Sequence, residues 1–152
     1  MGVAPETFLT TDKGQIPIGT LEGKTVRVWN GQEWSKTVVQ RIPGEDVELI
    51  QVRMTSGAFI NCTPDHQFIL KDGVTRIDAG NLISYTKLCE WELEKIPVIQ
   101  TMVKEVVRTF IVNDMEITLR SPTFMVNEPH RRSAVFNGVL TGITLVCKVR
   151  EH

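Results

Sequence analysis

The densest grouping of reactive side chains in the sequence is Asn61-Cys62-Thr63-Pro64-Asp65-His66, set between the apolar runs Ala58-Phe59-Ile60 and Gln67-Phe68-Ile69. A histidine three positions after a threonine and next to a carboxylate can give or take a proton near neutral pH. The same residues also read as a plain turn, in which Pro64 fixes φ and Asp65 accepts a backbone amide. Cys62 with His66 as its base would make a nucleophile pair. However, adjacent residues of an extended strand face opposite ways, and a cysteine inside an apolar run reads first as a small buried hydrophobe. A second grouping, Asn127-Glu128-Pro129-His130-Arg131-Arg132, leads into Phe136-Asn137-Gly138-Val139-Leu140. On composition alone it is a basic loop entering an Asn-Gly hairpin, and its two arginines are too few for a nucleic-acid footprint.

The elements that must position these groups are short strands. Thr25 to Val39 reads as two strands around Asn30-Gly31, which supplies the positive-φ pair of a type I′ turn. Val47 to Met54 and Ala58 to Cys62 form a second hairpin around Thr55-Ser56-Gly57, and Gln67 to Leu70 with Val74 to Ile77 form a third around Asp72-Gly73. Val106 to Val112 and Glu116 to Arg120 flank Asn113-Asp114, and Ile143 to Val149 is a further β-rich run. Ile16 to Leu21 and Ala79 to Ile83 each suit a single helical turn, and no segment holds a 3.6-residue apolar period over three turns. The reading is all-β, with Glu90 to Glu105 as a long surface connection between two halves.

Composition bounds the class. The chain has 152 residues, 41% of them hydrophobic, the size of one domain, and no repeat or linker divides residues 1–152. Seventeen Lys plus Arg against 18 Asp plus Glu give a net charge of -1, which offers no bulk attraction to nucleic acid or to anionic membranes. No apolar run reaches the length of a membrane span and the first residues lack signal-peptide order, so a soluble, cytoplasmic protein is expected. Cys62, Cys89 and Cys147 contain no CxxC pair, and they predict neither a disulfide framework nor a metal site. No cofactor is implied.

Order and spacing along nearly the whole chain resemble the Hint fold of the inteins, the self-splicing elements. Gly2-Val-Ala-Pro-Glu-Thr-Phe-Leu-Thr-Thr-Asp-Lys-Gly-Gln-Ile-Pro-Ile18 is similar to the first intein block, in which a nucleophile begins the element and a Thr follows five residues later, here Thr7. The strongest match is Thr63-Pro-Asp-His66, which is similar to the Thr-x-x-His block. Asp78-Ala-Gly-Asn-Leu-Ile-Ser-Tyr-Thr-Lys-Leu88 resembles the next block, with Ser84-Tyr85 where a Gly-containing turn is usual. Met125-Val-Asn-Glu-Pro-His130 and Asn137-Gly138-Val139-Leu140 resemble the two C-terminal blocks. The resemblance implies a mini-intein without an endonuclease, folded as an all-β horseshoe with pseudo-two-fold symmetry. It also implies a monomer whose partners are its own flanking extein segments.

The same resemblance assigns roles. His66 would protonate the departing amide nitrogen in the N-terminal acyl shift, Thr63 would hold and polarise the scissile peptide, and Asp65 would orient them. His130 would assist cyclisation of the terminal Asn, while Thr123 stands where many inteins carry an Asp. Both ends depart from the pattern: Gly2 occupies the first-nucleophile position, and Gly142-Ile143 stand where a penultimate His and terminal Asn are expected. A domain so disarmed would splice little or not at all, with residue 1 as upstream flank and residues 143–152 as downstream or joined sequence. A rearranged junction with Cys147 as a displaced nucleophile is a second reading of that end. Inteins that use an internal nucleophile carry a Trp near the His66 block, where this chain has Phe68. The alternatives in function are a Hint domain that cleaves without ligating and a non-catalytic β-rich module using Trp29, Trp34 and Trp91 as contact aromatics.

Overall fold

The computed structural model describes residues 2–29, 34–89 and 102–126. Thirteen strands and two 3-10 turns account for the regular structure among them. The chain opens with β1 (Phe8–Thr11) and β2 (Gly14–Pro17), a hairpin in full register from Phe8↔Pro17 to Thr11↔Gly14. The sequence reading places no hairpin here. Its signal was the alternation of Phe8-Leu9-Thr10 and Gln15-Ile16 around Gly14, whose φ of 107° suits glycine. Because Ile16 and Pro17 belong to β2, the helical turn expected from Ile16 is shorter and covers only Ile18–Leu21.

The strands β3 (Thr25–Trp29) and β4 (Trp34–Arg41) pair as the sequence predicts, through Trp29↔Trp34, and the Asn30-Gly31 turn between them lies outside the described residues. With β13 (Phe124–Val126) they form a five-stranded sheet in the order β13-β4-β3-β1-β2. The second sheet is built on β5 (Val47–Met54). One edge of β5 takes β6 (Phe59–Cys62), as predicted, and it also pairs with β9 (Val103–Val107) and β12 (Leu119–Ser121). β7 (Gln67–Ile69) and β8 (Arg76–Asp78) pair around the Asp72 turn, where Asp72 accepts the amides of Val74 and Thr75 at 2.8 Å each.

Two sequence expectations need correction here. Val106 to Val112 is not one strand: it breaks at Arg108, which turns aside to donate to the Gly80 carbonyl at 2.7 Å. Its second part, β10 (Phe110–Val112), pairs with β11 (Met115–Ile117) across Asn113 and Asp114, both at positive φ. Likewise the surface connection expected over Glu90 to Glu105 ends earlier, because Val103 begins β9 and is completely buried. Residues 90–101 and the β-rich run at 143–149 lie outside the described residues.

The strands bury one continuous core in which Val28, Val39, Val52 and Val103 have no exposed surface and Phe68, Met54 and Ile60 are nearly as deep. Each such side chain contributes about 1.5–3 kcal/mol by leaving water. Val3 joins the two sheets, since it bridges both Cys62 at the end of β6 and Phe124 at the start of β13. Among the described residues no helix is long and apolar enough to cross a membrane.

Candidate functional site

The seam made by Val3 sets the site. Val3 exchanges both backbone hydrogen bonds with Phe124 at 2.9 Å, and Ala4 donates to Asn61 at 2.8 Å. This pins Gly2 between β6 and β13. Asn61 reinforces the seam by donating to Glu6 at 3.1 Å while accepting from Gln51 at 3.0 Å. The Gly2 carbonyl accepts the Thr63 amide at 3.0 Å, and the Thr63 hydroxyl oxygen lies 3.5 Å from the same carbonyl. The sequence-predicted positions 2 and 63 are therefore in direct contact across 61 residues of chain.

Thr63 to His66 is a tight turn, closed by the His66 amide on the Thr63 carbonyl at 3.1 Å. A 3-10 turn at Ala79–Asn81 braces it from behind: Gly80 donates to Pro64 and Ala79 donates to His66, both at 2.8 Å. A side chain at Gly80 would be crowded, because a Cβ would come within 3.3 Å of Pro64 and 3.2 Å of the Arg108 guanidinium. The turn expected from composition and the reactive grouping are thus one feature.

Within it Asp65 accepts the Thr63 hydroxyl at 2.6 Å, and that bond holds the Asp65 carboxyl below the usual carboxylate range. The hydroxyl proton points at the Asp65 carboxylate, which leaves the oxygen's lone pairs free to face a donor. His66 is 1% exposed, and neither ring nitrogen has a hydrogen-bond partner among the described residues. Its one described ring contact is edge-on to Phe68 at 5.6 Å. Burial pushes its pKa down to about 3, so the imidazole is neutral. A buried polar group without partners costs about 1–3 kcal/mol, and such a group is a strong pointer to function. Cys62 is completely buried, and burial raises its thiol pKa, as for an inert core cysteine.

Residue 123 stands directly against residue 2. A Cβ built on Gly2 would stand 3.0 Å from the Thr123 Cβ, 3.1 Å from its Oγ1 and 3.2 Å from the Phe124 carbonyl, and Gly2 has φ 152°. Thr123, 3% exposed, fills the space that a side chain at position 2 would take. Only the resemblance had drawn attention to it, because the pairing of 2 with 123 follows from the β13 seam. His130, Gly142, Ile143, Cys147 and Trp91 lie outside the described residues. Trp34 is half-buried. No group of His, Cys, Asp and Glu that could hold a metal occurs among the described residues.

Known structures share this architecture. A variant of the Ssp DnaB mini-intein superposes with a TM-score of 0.62 at 13% identity, covering 84% of each chain. The gp41-1 intein matches with a TM-score of 0.55 at 15% identity over 85% of this chain and 89% of that one. The bacterial intein-like domain from Clostridium thermocellum gives 0.56 at 23% identity over 83% of each. In sequence, the large subunit of ribonucleoside-diphosphate reductase from Invertebrate iridescent virus 6 is 37% identical over 107 residues, 60% of this chain. The match spans only 11% of that viral protein. No family model matches the chain.

Proposed function

We propose, from the premise that this chain has the Hint fold of the inteins, that it is a protein-splicing element acting on its own two flanks. The single observation that carries the reading is the contact between Gly2 and the Thr63–His66 turn. It ties the chain's second residue to the turn that carries a neutral imidazole, unpartnered among the described residues, and a hydroxyl held by a carboxylate.

Each residue then has a step. A nucleophile at position 2 would attack the carbonyl carbon of residue 1, forming an ester or thioester as the peptide nitrogen leaves. His66, neutral at physiological pH, can take the proton of the nucleophile and return it to that nitrogen. Thr63, its hydroxyl fixed by Asp65, holds the carbonyl of residue 2 through its amide and so positions the residue whose nitrogen leaves. His130 would assist cyclisation at the Gly142-Ile143 junction. The chain lies within a host polypeptide in this reading, and the viral reductase match points to a ribonucleotide reductase large subunit as the kind of host. It works as a cytoplasmic monomer without nucleic acid.

The seat of Gly2 against Thr123 favours a second reading for the chain as it stands. The N-terminal shift by residue 2 is silent, and the fold survives as a cleavage-incompetent or non-ligating Hint domain. One experiment separates them. Placing the chain between two reporter domains with Gly2→Cys, Gly142→His and Ile143→Asn should give ligated reporters, while the unaltered chain gives none. Absence of both ligation and reporter release in the altered chain contradicts the splicing reading.

A further inference from the structure

Away from the Gly2 seam, four cations converge on one concavity of about 390 Å³. The β1–β2 turn brings Lys13, the loop before β3 brings Lys24, and the β3–β4 pair brings Arg27 and Lys36. Arg27 and Lys36 stand directly opposite each other in the antiparallel register. Like charges in that position repel, so the sheet is weakened by holding them there. The ion pairs found among the described residues are Arg53–Glu105 and Arg120–Glu48, and none of the four cations belongs to one. Asp12 is the one carboxylate on the rim. A locally positive cavity on a chain of net charge -1 is a placement of charge that bulk composition does not explain.

The floor is different in kind. Buried Leu21 and half-buried Ile16 and Val26 form it. An apolar floor under a cationic rim, in a volume suited to a small molecule, selects an organic anion. Arginine's planar fork fits phosphate and carboxylate alike, and four cations against one carboxylate favour the more highly charged phosphate. The compact shape and the absence of a basic stripe argue against a nucleic-acid strand.

We propose that this cavity binds a small phosphate-bearing organic anion, with the phosphate between Arg27 and Lys36 and the less polar body over Leu21, Ile16 and Val26. The site is separate from the splicing residues, so it can fail without affecting the reading of the Gly2 seam.

Calorimetric titration of the full chain tests it, with ADP and inorganic pyrophosphate as probes. Saturable ADP binding is expected, weakened about tenfold or more in the Arg27→Gln/Lys36→Gln variant and unchanged by Lys71→Gln, a cation outside the cavity. Both variants change exposed side chains, and their thermal melts report that folding is intact. ADP affinity should fall steeply with added salt. Absence of saturable heat at millimolar ADP, or equal affinity in the double variant, would overturn the proposal. Pyrophosphate binding as tightly as ADP would overturn the part assigned to the apolar floor.

Discussion

The space beside Gly2 is filled by Thr123, whose Cβ lies 3.0 Å from where a Cβ on residue 2 would stand. With φ 152° at Gly2, any side chain there meets both backbone strain and a close contact. Gly2→Cys should therefore destabilise the fold by roughly 1–3 kcal/mol. In a Thr123→Gly background the same change should cost less, with a coupling of at least about 0.5 kcal/mol in a double-mutant cycle by denaturant unfolding. Strictly additive effects would mean that the two positions do not compete for the same space.

His66 is buried with neither ring nitrogen partnered among the described residues, so chemistry and stability pull apart there. His66→Leu removes the unpaired polar atoms and should raise stability by about 1–3 kcal/mol while abolishing any acyl shift. The same variant has a pH signature. The folded pKa is about 3 against an ordinary value of 6.5, so between those limits the unfolded chain binds the proton and the folded chain does not. Stability then falls as pH drops below about 6.5, by up to about 1.4 kcal/mol per unit from this residue. Urea midpoints from pH 7 to 4.5 should show that slope in the parent and a shallower one in His66→Leu. Identical slopes would show that His66 is not buried neutral.

Asp65 acts through Thr63, whose hydroxyl it accepts at 2.6 Å. In a chain carrying Gly2→Cys, Asp65→Ala should slow thiol-dependent release of an upstream reporter by about tenfold, the loss of one charge-assisted hydrogen bond. Asp65→Glu should recover part of the rate if the carboxylate positions the hydroxyl. A merely structural residue would change the melting temperature and leave the ratio of the two variants' rates near one.

Tyr85 stands at φ 68° with 70% of its surface exposed, in the stretch where the resemblance places a glycine-containing turn. A non-glycine residue held left-handed is strained by roughly 1–2 kcal/mol, and little contact offsets it here. Tyr85→Gly should stabilise by about 0.5–1 kcal/mol after the greater freedom of glycine in the unfolded chain is counted. A loss of stability in thermal unfolding would show that the exposed ring contributes packing.

The hairpins around Gly57 and Asp72-Gly73, and the strands flanking Asn30-Gly31, were legible because turn chemistry and alternation are local signals. The β1–β2 hairpin was equally local but lay inside a stretch valued for its motif. The break at Arg108 was not legible, since it depends on a carbonyl at Gly80, 28 residues earlier. At the site, Thr63 and His66 stand out by type and spacing. The burial of His66 and the packing of residue 2 on residue 123 arise from strand pairing between distant segments, and no local pattern encodes them.

The most direct measurement of the splicing reading is thioester formation at residue 2. A reporter fused upstream of the Gly2→Cys chain, treated with a small thiol and followed by mass spectrometry, should be released as its thiol ester. Release should be suppressed by His66→Ala far more than by His130→Ala. No release, or release indifferent to His66, would contradict the assignment of the Thr63–His66 turn to acyl transfer.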